Sequence, residues 1–159
     1  MGDERGVKLR VLWVGKTQEE WVRCGIDEYA GRIKRYLPLE ISEVREEKGT
    51  VAEQLRLKEG ERLLKTLPKG TRLVLLDETG EQFTSTGFAA FLGRERDSGT
   101  HELAFAIGGS YGFDAAVRKA AYRSISLSKM TFTHQMVRPF LLEQIYRAFT
   151  ILNNESYHH

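Results

Sequence analysis

The sequence predicts an α/β fold with a mainly parallel sheet and helices on both faces, and three observations predict it. Strand-like segments alternate with segments of helical apolar spacing from residue 7 to residue 152. Residues 72–76 and 102–107 are nearly unbroken apolar runs, as strands covered on both faces require. The second of these, within Leu103-Ala-Phe-Ala-Ile-Gly-Gly-Ser-Tyr-Gly112, breaks into a glycine-rich bend that opens onto a helical pattern.

The elements follow in order. Residues 7–14 set Val7, Leu9 and Val11 against Lys8 and Arg10 and end Trp13-Val14-Gly15, a strand more buried toward its end. Residues 18–36 form a helix whose spacing places Trp21, Val22, Ile26, Tyr29, Ile33 and Leu37 together, and Pro38 stops it. Residues 39–44 alternate again as a short strand. Residues 51–67 repeat the helical spacing through Val51, Leu55, Leu63, Leu64 and Leu67, closed by Pro68-Lys69-Gly70 before the strand at 72–76. Asp77-Glu78-Thr79-Gly80 reads as a turn. Residues 86–96 form a helix with Phe88, Phe91 and Leu92 on one side, ended by Gly99. A strand at 102–107, a short helix at 114–121 and a last strand at 125–127 follow. The longest C-terminal helix runs from about 135 to 152 with the stripe Phe140, Leu141, Ile145, Phe149 and Leu152. No linker, repeat or low-complexity segment interrupts the pattern, so residues 1–159 are expected to form one domain.

With 41% hydrophobic and 29% charged residues, the composition is that of a soluble globular protein rather than a disordered chain. No apolar stretch approaches the roughly 18 residues that cross a bilayer, and the start has no signal-peptide layout, so a cytoplasmic location is expected. The single cysteine, Cys24, cannot form an internal disulfide and is expected to lie half-buried on a helix; no Cys/His spacing suggests zinc. A net charge of +2 does not by itself announce a nucleic-acid binder. Local positive charge is available at Lys8 and Arg10 and at Arg32, Lys34 and Arg35, each also readable as a solvated face.

In a parallel sheet, ligands sit beyond the carboxyl ends of the strands, and three of those ends are chemically unusual. Leu76 leads into Asp77-Glu78. Ile107 leads into Gly108-Gly109-Ser110-Tyr111-Gly112, where glycines let the backbone approach a ligand and aim N–H groups at it. That bend has neither the Lys-Ser/Thr of a triphosphate loop nor full GxGxxG spacing, and it is also readable as a tight turn. The third end lies in Ser124-Ile-Ser-Leu-Ser-Lys-Met-Thr-Phe-Thr-His134. It reads either as a half-buried strand with Thr133 capping a helix, or as a loop whose backbone meets an adenine edge while Met130 packs on its face. On the last helix, Glu143 and Arg147 share a face and can pair.

With these residues in view, the chain resembles the RlmH family of SPOUT-class methyltransferases. The resemblance runs from Val7 onward and is densest at 103–112, at 124–134, at Leu142-Glu-Gln-Ile-Tyr-Arg-Ala-Phe149 and at Tyr157-His158. It implies a SPOUT-type trefoil-knotted α/β domain, against the general rule that chains do not knot, and an obligate homodimer. It implies S-adenosyl-L-methionine as methyl donor, with cofactor contacts at Leu76, Gly108, Leu127, Ser128, Lys129, Met130, Thr131 and Phe132. The implied reaction is methylation of ring nitrogen 3 of pseudouridine 1915 (ribosomal RNA numbering) in helix 69 of 23S ribosomal RNA, on assembled ribosomes. His134, Glu143, Arg147, Tyr157 and His158 are the candidates for positioning and proton handling, with the tail closing over the site from the partner subunit. Two positions depart from the family's pattern. Pro139 is expected to delay or bend the last helix, and a neutral His159 would weaken a phosphate contact. Two rival readings remain: a nicotinamide-binding domain, which lacks an acidic residue about 20 positions after the glycines, and a ribosome-associated binding protein with a disused pocket.

Overall fold

The structure is a computed structural model that describes residues 6–158; the expectations placed on residues 1–5 and on His159 lie outside the described residues. Five strands form one sheet in the order β2-β1-β4-β3-β5. They are β1 (Lys8–Val14), β2 (Leu39–Val44), β3 (Arg72–Gln82), β4 (Glu102–Ile107) and β5 (Arg123–Ser126). Every pairing is parallel, which requires a crossover between successive strands and explains the regular insertion of helices. Those helices are α1 (Glu20–Ile33), α2 (Ala52–Thr66), α3 (Ser85–Asp97), α4 (Ala115–Ala120) and α5 (Val137–Leu152).

Alternation along the strands divides the core in two. Leu9, Val11 and Trp13 of β1, Phe105 and Ile107 of β4 and Ile125 of β5 face one way, packing with Ile26, Phe91, Leu141 and Ile145 from α1, α3 and α5. Leu12, Val14, Leu75, Ala104 and Ala106 face the other way, against Leu63 of α2 and Val117 of α4. Both faces are covered, as the apolar runs of β3 and β4 predict.

Four expectations need correction. Residues 77–80 are not a turn: β3 continues through them to Gln82, and its ladder with β5 shifts register between Leu76 and Glu81. Helix α1 ends at Ile33, well before Pro38, because residues 34–36 tighten into turns. Trp21 is not core: it is 58% exposed although it falls on the apolar spacing. Cys24 is exposed rather than half-buried.

Pro139 is accommodated by position. Helix α5 starts at Val137, so Pro139 occupies the first turn, where its missing N–H has no partner to lose. Its ring is buried against α1, where a β-carbon on Gly25 would come within 3.2 Å of it. Thr133 still caps, one turn early, its Oγ1 accepting from the Met136 amide at 3.1 Å.

Candidate functional site

The glycine bend and the segment after β5 meet beyond the carboxyl end of β4, beside the middle of β3, and enclose a cleft of about 470 Å³. One wall is Leu76, Asp77 and Glu78; the second is the bend, through Ile107, Gly108, Gly109, Ser110 and Gly112; the third is Ser126, Leu127, Ser128 and Met130 through His134. The bend is held by short backbone contacts. Gly112 has φ +78, the left-handed region that favours glycine, and its amide donates to the Gly109 carbonyl at 3.1 Å. A β-carbon at Gly108 would lie 3.2 Å from the Gly112 backbone. The third wall is set by side-chain hydroxyls. Ser126 Oγ donates to the Ser128 carbonyl at 2.7 Å, and Ser128 Oγ accepts from the Met130 amide at 3.0 Å, so two serines impose the loop's curvature. Thr131 Oγ1 donates to Glu78 Oε2, tying the first wall to the third.

Seven of the eight cofactor-binding candidates line this cleft: Leu76, Gly108, Leu127, Ser128, Met130, Thr131 and Phe132. Lys129 lies in the same loop but is exposed and does not line the cleft. Met130 is 76% exposed, so an apolar surface stands at the cleft without a protein partner. Asp77 is a wall residue that the sequence reading passed over, although it had marked this strand end as unusual. Burial works to raise its carboxyl, but the Arg118 guanidinium and the Thr79 amide outweigh that and hold it below the usual carboxylate range.

The catalytic candidates divide into two places. His134 lines the cleft, and burial, helped by the nearby Arg138 charge, lowers its pKa, favouring a neutral ring. The other four gather on α5 and the tail. Arg147 Nη2 donates to Glu143 Oε2 at 2.7 Å, and the Tyr157 hydroxyl donates to the same oxygen at 2.8 Å. Gln144 Nε2 donates to Glu143 Oε1 at 2.9 Å, so both oxygens of this carboxylate are engaged. Arg147 Nη1 lies 3.0 Å from His158 Nδ1. A guanidinium can only donate, so Nδ1 accepts and Nε2 carries the proton. Burial, with hydrogen bonds to Tyr29 and Glu143, pushes the Tyr157 hydroxyl well above its ordinary value.

This cluster borders a second, larger cavity of about 720 Å³, lined also by Trp21, Tyr29, Phe83, Phe88, Pro139 and Phe140. The two cavities share Ser126, Leu127 and Phe132. Within the chain, then, the cluster stands behind the third wall of the cleft rather than inside it.

Arg138 ties these parts together and was not among the site candidates. It is fully buried. Its Nη2 donates to the Val14 carbonyl at 2.9 Å, Nη1 to Thr17 Oγ1 at 3.0 Å and Nε to the His134 carbonyl at 3.1 Å. The guanidinium lies 5.0 Å from the centre of the Trp13 ring. Burial pulls its pKa down to about 10, and it remains charged at neutral pH. The sequence sets Arg138 on the C-terminal helix with His134, Glu143 and Arg147, but its burial is not legible there, because two of its three acceptors, in β1 and the β1–α1 loop, lie more than a hundred residues away. The basic patches proposed from sequence fare unevenly. Arg10 is buried, bonded to Glu102 at 2.9 Å. Lys8 pairs with Glu40 and Arg32 with Glu28, and Lys34 and Arg35 are exposed.

Comparison with known proteins fits this arrangement. A family model described as “Predicted SPOUT methyltransferase” matches residues 7–158. The chain is 67% identical over 153 residues to the ribosomal RNA large subunit methyltransferase H of Geotalea uraniireducens, covering 96% of this chain and 100% of that protein. The protein of the same name from Geobacter sulfurreducens is also 67% identical with the same coverage. The one from Trichlorobacter lovleyi is 61% identical, again over 96% of this chain and 100% of the relative.

Proposed function

The chain belongs to the SPOUT methyltransferase family, and from that premise we propose that it methylates large-subunit ribosomal RNA with S-adenosyl-L-methionine. The finer assignment is ring nitrogen 3 of a pseudouridine in helix 69 of 23S ribosomal RNA, within assembled ribosomes. The observation that carries this reading is the cleft between the glycine bend and the post-β5 loop, whose walls present main-chain groups and an exposed methionine. The residues suit the cofactor: main chain at Gly108 and in 127–132 for an adenine edge, Met130 and Leu76 for its faces, and carboxylates at Asp77 and Glu78 for hydroxyls or positive charge.

The bound cofactor supplies an activated methyl group on a sulfonium. The chain's part is to place the target nitrogen in line and to receive its proton. His134 is our candidate acceptor, because it lines the cleft and is held neutral by burial. Glu143 is less suited, since both of its oxygens already accept hydrogen bonds. Arg147 and the Nε2–H of His158 serve as donors to a base oxygen or phosphate. An unstacked loop base can enter such a site, which makes loop RNA a fitting substrate.

A homodimer is part of this proposal. The larger cavity leaves Trp21 58% and Phe140 39% exposed beside Tyr29, Phe83 and Pro139, an apolar face that a second copy would cover. That copy would also bring one protomer's tail toward the other's cleft. With a net charge of only +2, the dimer relies on a composite ribosomal surface to hold its substrate. Methyl transfer from labelled cofactor to 70S ribosomes, free 50S subunits and naked RNA in parallel tests both claims. Label in 23S RNA from the 70S sample is expected. No label in any sample would overturn the activity, and label in naked RNA alone would overturn the ribosomal context.

A further inference from the structure

Behind the glycine bend stands a carboxylate that the proposed chemistry does not use. Glu59 of α2 is only 6% exposed. Its Oε2 accepts from the Glu47 amide at 3.1 Å. Its Oε1 faces the bend so closely that a β-carbon on Gly109 would stand 3.0 Å from it. Gly109 is a wall of the cleft. Among the described residues no basic side chain lies within ion-pair distance of Glu59, since the nearby Arg62 is bound to Glu47 at 3.0 Å. Burial, Glu46 and Glu47 raise its pKa, while the Glu47 amide and Arg62 oppose them. Glu59 is therefore a buried carboxylate with no ion-pair partner among the described residues, separated from the cleft by one glycine.

We infer that Glu59 is a specificity-determining residue whose charge favours a cationic occupant of the cleft over a neutral one of the same shape. The inference rests on the reading of the cleft as the S-adenosylmethionine site. That cofactor carries a sulfonium and an ammonium against one carboxylate, a net positive charge. The by-product left after methyl transfer, S-adenosylhomocysteine, is a thioether with no net charge. A fixed carboxylate in a poorly solvated position distinguishes the two through space, because the field is weakly screened there. It holds the donor before transfer and favours release of the product after it. Glu59 touches neither ligand and is not catalytic.

Glu59→Gln removes the charge and keeps an oxygen for the Glu47 amide. Calorimetric titration at pH 8 with both ligands, on wild type and variant, tests the inference. The dissociation constant for S-adenosylmethionine should rise on the order of tenfold, the scale of unit charges about 12 Å apart at an effective dielectric near 20. That for S-adenosylhomocysteine should move less than about twofold, and the melting temperature should hold or rise as a buried charge is lost. Glu59→Asp, which keeps the charge, should keep the preference and serves if the glutamine variant fails to fold. Equal weakening of both ligands, or no change in either, would overturn the inference. Absence of S-adenosylmethionine uptake by wild type would instead overturn the cofactor reading, and the inference with it.

Discussion

Gly80 crosses the backbone of Ile125 so closely that a β-carbon on Gly80 would stand 2.7 Å from both the nitrogen and the carbonyl carbon of Ile125. The same Ile125 pairs with Leu76 before the crossing and with Glu81 after it. Residues 77–80 are therefore strapped over β5, and the segment after β5 returns to them through Thr131 and Glu78. Two chain segments thus pass over one another at the mouth of the sheet, held by a close backbone approach and one side-chain hydrogen bond.

Gly80→Ala should be severely destabilising. The atoms that a methyl group would meet are backbone, which cannot swing aside as a side chain can. Overpacking of this kind costs about 3 kcal/mol, the upper end of its usual range. Urea unfolding followed by circular dichroism measures it, and a loss under about 1 kcal/mol would mean that the crossing is looser than described.

Gly108→Val should leave the fold intact and abolish uptake of S-adenosylmethionine. A β-carbon there meets the Gly112 backbone at 3.2 Å, and the branched methyls would push the bend into the cleft. Normal binding by a folded variant would show that the cofactor lies elsewhere.

Much of the fold was legible in the sequence because parallel strands and amphipathic helices leave periodic signatures, and β2 and β4 are as the pattern predicts. The cofactor candidates came from the family resemblance, and seven of the eight line one cleft. What escaped was long-range. Asp77-Glu78-Thr79-Gly80 has turn composition, and only β5, some forty residues later, makes it a strand. Trp21 fits a core stripe, and no local signal shows that it is left exposed. Arg138 and Glu59 look like ordinary surface charges on helices, and their burial depends on β1 and the glycine bend.

Arg138→Lys should cost about 2–3 kcal/mol despite conserving charge. An ammonium cannot keep three divergent hydrogen bonds and also stack on Trp13, and each buried acceptor left unpaired costs about 1–3 kcal/mol. A melting temperature equal to wild type would remove Arg138 from its role as the tie between β1 and α5.

His134 should make stability depend on pH on the acid side. Its folded pKa lies below the unfolded value of about 6.5, so the unfolded chain binds the proton more readily. The contribution of the neutral ring is present above the unfolded pKa and is lost as pH falls through the folded one. Unfolding free energies at pH 5, 6, 7 and 8 should decline toward the acid end, and His134→Gln should flatten that decline. An unchanged slope in the variant would mean that His134 titrates as it does in water.

The tail decides whether one chain or two build the site. Tyr157 and His158 bind Glu143 and Arg147 of their own chain, behind Ser126, Leu127 and Phe132 rather than within the cleft. If the tail works on the partner's cleft, two inactive chains should rescue each other. One carries Gly108→Val, with a ruined cleft and an intact tail; the other ends at Ser156, with an intact cleft and no Tyr157 or His158. A two-fold dimer of the mixed kind then holds one complete site, the cleft of one chain beneath the tail of the other. Random mixing in equal amounts makes about half of the dimers mixed, each with one of two sites competent, so about a quarter of wild-type methyl transfer should return. If each tail serves its own cleft, neither chain in the mixed dimer is complete and activity stays at the level of the separate variants. The in-chain hydrogen bonds of Tyr157 and His158 would then be the working arrangement.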